Sequence, residues 1–300
     1  MSGRRDTMRD RLLPLIEEAL PRFSKGQKLI AAYIREHYEK AAFMTAAKLG
    51  STVGVSESTV VRFATEIGFE GYPQLQKALR EMIRNKLTAV QRMEVLGDRL
   101  GNSDLLSKVL QTDIDSIKKT LEEVDGAAFE AAVADIISAR KIYIIGIRSA
   151  AALSSFMNFY FTHIFDNVRN IDTASTSGIF EQLLRVGEGD VFIGVTFSRY
   201  SKRTLKAASF AKASGAKVIA ITDSLGAPIA GVADHVLVAK SDMASFVDSL
   251  VAPLSLINAL IVAIGVAKKE EISDTYEKLE SIWAEYNVYQ TDEENNDATI

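Results

Sequence analysis

The chain has no cysteine. That excludes a disulfide framework, a thiolate metal site and a cysteine nucleophile. Histidine is scarce too. The three present, His37, His163 and His235, have a spacing that suits no metal motif. No apolar signal core follows the opening Met-Ser-Gly-Arg-Arg-Asp. The longest apolar run, near Val251 to Val266, is broken by Pro253, Ser255, Asn258 and Gly265. It reads as a buried helix rather than a membrane span. These absences set the expectation of a cytoplasmic protein with no membrane partner, no metal and no cofactor.

What is present is 300 residues of ordinary globular composition, 47% hydrophobic and 25% charged. That length accommodates two domains, one with a sizeable core. The net charge of -4 hides an asymmetry: residues 1–90 carry +5 and the remainder -9. A basic N-terminal third on an acidic body fits a nucleic-acid-contacting head.

Within that third, Val53 to Phe63 carries the strongest local signal. Gly54 can adopt the left-handed conformation a tight turn needs. Ser56 is placed to cap the helix that follows. At about 100° per residue, Val60, Phe63, Ala64 and Ile67 share one side of that helix. Ser58, Arg62 and Thr65 share the other, with Thr59 on the flank. Together with Met44 to Ser51 upstream, this spells a helix-turn-helix whose second helix offers an arginine and hydroxyls to a major groove. The candidate DNA-contacting residues are Ser56, Ser58, Thr59, Arg62 and Thr65. The same pattern also suits an ordinary amphipathic helix in a small bundle.

Residues 1–85 read as all helical, with segments at Arg9 to Leu20, after Ser24, and from Pro73 through Ile83. Residues 86–103 are polar, with Gly97 and Gly101, and read as a linker. Helices are expected at about Asp104 to Glu123 and Ala127 to Ala139. At Lys141 the pattern changes. Strands at Ile142–Gly146, Val168–Ile171, Val191–Val195, Lys217–Thr222 and His235–Ala239 alternate with helices at Ala150–Phe165 and Lys202–Ser214, and a long helix follows Pro253. Alternation of this kind predicts right-handed βαβ units and a parallel sheet covered on both faces. The expected fold is an all-α N-terminal helix-turn-helix domain joined to an α/β domain (residues 104–290) with a doubly wound five-stranded parallel sheet. Residues 291–300 are acidic and polar and read as a disordered tail.

In a sheet ordered 2-1-3-4-5, ligands bind where the order reverses, between the first and third strands. The loops there are Ile147-Arg148-Ser149-Ala150 and Thr196-Phe197-Ser198-Arg199-Tyr200-Ser201. Each is rich in hydroxyls, carries an arginine and leads into a helix N-terminus. Arg148, Ser149, Thr196, Ser198, Arg199 and Ser201 therefore form a candidate anion site suited to phosphate, unless the hydroxyls serve only as caps. Isomerase chemistry would need a placed base. Neither loop holds a glutamate or a histidine. His163 sits among aromatics and His235 begins a strand, so both read as structural.

Gly54-Val55-Ser56-Glu57-Ser58-Thr59-Val60-Val61-Arg62-Phe63 and Gly68-Phe69-Glu70-Gly71-Tyr72 resemble the signature of the RpiR/MurR regulators. The likeness extends over nearly the whole chain, from about Phe23 to Val266. It implies a helix-turn-helix domain followed by a sugar isomerase (SIS) domain, DNA binding as a homodimer or homotetramer, and sensing of a phosphorylated sugar. The sequence departs from the family at three places. Gly50 stands where alanine is usual, at a helix cost of roughly 1 kcal/mol. The first SIS loop, usually Gly-x-Gly-x-Ser, has Arg148 for its second glycine and Ala150 for its serine. The second, usually Ser-x-Ser-Gly-x-Thr, has Thr196, Ser198, Arg199 and Ser201. Two glycines replaced by arginine could strengthen anion binding or fill the pocket. The reading is a DNA-binding regulator sensing a small anionic metabolite, not an enzyme. Two alternatives stay open: an SIS-type sugar-phosphate isomerase, and a regulator whose SIS domain only oligomerises.

Overall fold

The computed structural model describes residues 8–83, 104–241 and 247–289. The expected linker, 86–103, and tail, 291–300, lie outside the described residues. The described residues divide into two compact units: those up to Thr112 together with 247–249, and 113–241 together with those from Leu250 onward.

The described residues of the first unit include the helices α1 (Met8–Ala19), α2 (Lys25–Ala41), α3 (Ala46–Val53), α4 (Glu57–Glu66) and α5 (Tyr72–Ile83). Local chemistry sets their ends. Ser24 and Gln27 form a reciprocal capping box at α2. Thr45 caps α3 through the Lys48 N–H. Gly54 ends α3 at φ +78°, in the left-handed region glycine enters without a Cβ clash. Leu12, Ile34, Leu49, Phe63 and Leu79 are fully buried in one shared core, where the Phe23 and Phe63 rings meet at 5.0 Å.

Gly50 does more than its helix propensity suggests. A Cβ there would stand 2.8 Å from the Val55 carbonyl oxygen and 3.3 Å from the Ser56 carbonyl carbon. The glycine lets the turn fold back tightly on α3, and its own carbonyl accepts the Val55 N–H at 2.8 Å.

Helix α6 (Leu105–Glu123) spans the division between the units, and α7 (Gly126–Ile137) follows it. The second unit then runs β1 (Lys141–Gly146), α8 (Ala150–Ile164), β2 (Val168–Asn170), α9 (Thr176–Gln182), β3 (Asp190–Val195), α10 (Lys202–Ala213), β4 (Lys217–Thr222), β5 (His235–Val238), α11 (Val251–Ala267) and α12 (Lys269–Glu285). The sheet order is β2-β1-β3-β4-β5 and every pairing is parallel. Side chains alternate across it with the period of two that strands impose. Ile142, Ile144, Ile193 and Ile219 join the core under α7, α8 and α11. Tyr143, Ile145, Phe192 and Val218 join the core under α9 and α10.

The apolar run ends up where its interruptions suggested. Ile257, Leu260 and Ile264 of α11 are fully buried, and among the described residues no single helix is long and apolar enough to cross a membrane. Pro253 lies in the first turn of α11, where its missing N–H costs no helical bond. Two helices were not foreseen. Helix α9 is a short element capped by Ser175 through the Gly178 N–H. Helix α12 buries none of its residues, so no apolar stripe announced it.

Candidate functional site

Two sets of residues stand out, one in each unit. In the first, α4 separates its faces as its period requires. Val60, Phe63 and Ala64 are fully buried, and Ile67 is 5% exposed. Ser56, Ser58, Arg62 and Thr65 are exposed, and Thr59 is half-buried. Ser56 caps α4 by accepting the Thr59 N–H at 3.3 Å. Its Oγ also lies 2.9 Å from the Ser58 Oγ and 2.8 Å from the Thr59 Oγ1, so the three hydroxyls form one cluster. Thr65 donates its hydroxyl to the Arg62 carbonyl.

Helix α5 secures the connection into α3. Tyr72 donates its hydroxyl to the carbonyls of Met44 (2.8 Å) and Ala41 (3.3 Å). Gln76 also donates to Met44, and Arg80 Nε donates to the Ala42 carbonyl. Burial pushes the Tyr72 phenol up to about 12, against the opposing pull of the Arg80 cation. Tyr72, Gln76 and Arg80 recur every four residues on one helical face. That spacing was the available signal, and the sequence reading missed these positioning residues.

In the second unit, β1 and β3 are neighbours, with Gly146 in register with Val195. The candidate loops therefore leave the sheet side by side at its carboxyl edge. Gly146 permits a close approach, since a Cβ there would stand 2.2 Å from the Ala150 carbonyl oxygen. Arg148 follows at φ +61° and is exposed. Ser149 is the N-cap residue of α8, exposed and without a side-chain capping bond.

The second loop is wired more densely. Thr196 continues the ladder by donating its N–H to the Ile221 carbonyl. Its Oγ1 accepts the Ser201 N–H at 3.2 Å, and the Ser201 Oγ accepts the Thr204 N–H at 3.2 Å. Each hydroxyl thus serves the backbone as an acceptor, which leaves its proton to donate elsewhere. Thr196 is 4% exposed and Ser198 8%. Arg199 stands at φ +64° and is exposed. All six sequence-predicted residues belong to these two adjacent loops.

Three contributors escaped the sequence reading. Asp223, 1% exposed just beyond β4, accepts the Ser198 N–H at 3.0 Å on one oxygen and the Tyr200 hydroxyl at 2.7 Å on the other. Arg203, in the first turn of α10, donates to the Thr173 carbonyl at 3.0 Å and ties the β2–α9 loop to the same edge. The signal for Asp223 was its place directly after an apolar strand; nothing local pointed to Arg203 or Tyr200.

The histidines sit elsewhere. His235 starts β5, at the sheet's amino edge, with Nε2 2.8 Å from an Asp135 oxygen. His163 lies near the end of α8, its ring 4.8 Å from that of Phe159 and its Nδ1 3.4 Å from the Tyr276 hydroxyl. Neither is at the carboxyl edge where the loops meet. Among the described residues no group of three or more His, Cys, Asp or Glu side chains could hold a metal ion.

Comparison with known proteins follows the same division. Residues 10–86 match the helix-turn-helix domain of the rpiR family, and residues 135–263 match the SIS domain. The HTH-type transcriptional regulator HexR of Pseudomonas aeruginosa is 24% identical over 222 residues, 73% of this chain and 75% of that protein. An uncharacterized HTH-type transcriptional regulator of Clostridium perfringens is 23% identical over 75% of this chain and 80% of its own length. The sugar isomerase domain of an RpiR transcription factor from Sphaerobacter thermophilus superposes with a TM-score of 0.57 at 27% identity, covering 60% of this chain and 99% of that one. The NanR protein of Vibrio vulnificus, complexed with ManNAc-6P, shares the fold with a TM-score of 0.57 at 21% identity, covering 92% of this chain and 98% of its own. The chain belongs to the RpiR family of transcriptional regulators, a helix-turn-helix domain followed by an SIS domain.

Proposed function

We propose that this regulator reads double-stranded operator DNA with α4 and senses a small anionic metabolite, a phosphorylated sugar, between the β1–α8 and β3–α10 loops. Ser58, Thr59 and Arg62 are the contacts offered to bases, while Ser56 and Thr65 serve the backbone of the same helix or adjacent phosphates. Arg148, Ser149, Thr196, Ser198, Arg199 and Ser201 surround the effector.

The observation that carries the sensing role is the hydrogen-bond state of Thr196 and Ser201. Both are satisfied as acceptors by backbone N–H groups, so both hydroxyl protons suit an anion. Two helix N-termini at the same edge add their partial positive charge. The NanR complex supplies a phosphosugar on the same fold. An isomerase reading finds less support: neither loop carries a glutamate or a histidine, and the Asp223 carboxylate accepts the Ser198 N–H and the Tyr200 hydroxyl.

The protein acts in the cytoplasm as a homodimer or homotetramer, matching two operator half-sites. Exposed apolar side chains on the second unit favour self-association: Phe159 on α8, Val262 and Val266 on α11, and Leu121 on α6, which is 78% exposed.

The test is operator binding titrated with a panel of phosphorylated sugars, for wild type and Ser198→Ala. Coupling between effector and operator is reciprocal, typically about 1–3 kcal/mol. Ser198→Ala keeps its DNA affinity but loses most of the effector's influence on it. Equal responses would remove this loop from sensing. No wild-type response to any phosphosugar would leave the SIS domain as an oligomerisation unit.

A further inference from the structure

Basic residues gather toward the amino edge of the sheet, the end opposite the effector loops. Tyr143 of β1 is in register with Arg169 of β2, so both side chains leave the same face of the sheet. Lys141, two residues earlier on β1, shares that face, and its Nζ stands 5.4 Å from the centre of the Tyr143 ring. The α9–β3 connection, residues 183–189, closes the same corner. Leu183 and Val186 pack in one core with Tyr143, and Arg185 between them is exposed.

Tyr143 ties these cations to one point. The residue is 1% exposed. Burial pushes its phenol up, the Asp190 carboxylate adds to the rise, and the Arg169, Arg140 and Arg185 cations oppose it. The hydroxyl therefore lies within electrostatic reach of all three guanidinium groups. It makes no hydrogen bond among the described residues, yet it is not sealed from solvent. A tyrosine buried this deeply ordinarily finds a partner for its hydroxyl. Arg140 and Asp190 cancel one another. Arg140 donates to both Asp190 oxygens at 2.9 Å, and the Gly187 N–H adds a third bond at 3.0 Å. Lys141, Arg169 and Arg185 remain, with no side-chain hydrogen bond or ion pair among the described residues. Residues 91–300 carry a net -9, so three cations left unpaired in one corner stand against the charge of their surroundings. An anion between them would relieve their mutual repulsion.

We infer that Lys141, Arg169, Arg185 and the Tyr143 hydroxyl form a second anion site, for an oxyanion of the phosphate class, separate from the effector loops. The guanidinium groups supply donor forks that match phosphate oxygens, Lys141 supplies a point charge, and the phenol donates one further hydrogen bond. The Arg140–Asp190 pair holds the start of β1 and β3 in place beneath it.

The experiment uses the full chain labelled with fluorotyrosine and read by fluorine NMR, with affinities from calorimetry. The probes are inorganic phosphate and pyrophosphate, each set against sodium chloride at matched ionic strength so that screening is common to all. The chain has nine tyrosines, and Tyr143→Phe identifies the Tyr143 resonance by its disappearance. At least one probe should move that resonance to saturation, and chloride should not. Arg169→Gln and Arg185→Gln, both at exposed positions, should each weaken binding by about ten-fold, the scale of one charged hydrogen bond. Tyr143→Phe should also weaken it yet keep the wild-type melting temperature, since the hydroxyl it removes holds no hydrogen bond in the fold. Tighter binding of pyrophosphate assigns the site to a polyphosphate; equal affinities assign it to a single phosphate group. If calorimetry detects binding while the Tyr143 resonance stays still, the anion sits elsewhere and the inference is overturned. It is overturned equally if neither probe binds or if either arginine variant keeps the wild-type affinity. None of these outcomes touches the effector reading, which rests on the loops at the other edge.

Discussion

Replacing Gly50 by alanine sets two physical effects against each other. Alanine is favoured over glycine inside a helix by about 1 kcal/mol, so propensity alone predicts a more stable α3. The tertiary structure predicts the reverse. The new Cβ would meet the Val55 oxygen at 2.8 Å, with the Ser56 carbonyl carbon at 3.3 Å and the Glu57 nitrogen at 3.4 Å. All three are backbone atoms, so no rotamer change relieves the contact. The turn itself must move, against the Val55 N–H bond to Gly50 and the Ser56 cap of α4. Overpacking of this kind costs about 1–3 kcal/mol. With backbone on every side the upper part of that range applies, leaving a net loss of about 1–2 kcal/mol after the propensity gain. Hydrogen exchange read over α3 and α4 is the suitable assay, because the single tryptophan, Trp283, lies in the other unit. A loss of that size lowers amide protection by about 5–30-fold. Ala47→Gly, at an exposed site of α3, measures the propensity effect in the same helix. If Gly50→Ala raises protection by what Ala47→Gly removes, the close approach has no energetic weight and the reasoning is wrong.

Four further outcomes can be checked. Arg62→Ala should stay folded and weaken operator binding by about 1–3 kcal/mol in a titration at fixed salt; unchanged affinity would show that α4 is not the reader. Tyr72→Phe should cost about 1–3 kcal/mol in thermal or denaturant unfolding, since it removes the donor to the Met44 and Ala41 carbonyls; a neutral result would mean Gln76 holds that connection alone. Burial pushes the Asp234 carboxyl up, but the Lys212 ammonium and the Val218 N–H outweigh it and hold it below 3.8. Its folded-state value is thus depressed, so its stabilisation is present above pH 3.8 and fades as pH falls through the lower folded value; Asp234→Asn should therefore be less stable than wild type at neutral pH and converge with it in acid. A fragment starting at Asp104 should fold and self-associate at micromolar concentration, and monomeric light scattering would contradict the assembly reading.

Much of this protein was legible locally. Ser24, Ser56 and Gly54 are helix punctuation whose effect depends on the few residues beside them, and each acts in the structure as its chemistry dictates. Strands β1, β3, β4 and β5 follow from apolar runs rich in β-formers, β2 is the short Val-Arg-Asn at the sheet's edge, and the order β2-β1-β3-β4-β5 places the loops after β1 and β3 side by side. The elements that escaped, α9 and α12, lack a long apolar period. What only the tertiary structure decided involves partners far apart in sequence: the Ser198 N–H on Asp223, 25 residues away, Arg203 on Thr173, 30 away, and Tyr72 on Met44, 28 away. No periodicity encodes such pairs, because they form only after chain packing has closed the loops between them. The same holds for the three departures from the family pattern. The sequence shows Gly50 as a weak helix residue and two arginines in place of glycines. Only the folded backbone sets Gly50 against the Val55 carbonyl and holds Arg148 and Arg199 at positive φ, because these conformations are fixed by what the rest of the fold brings against them.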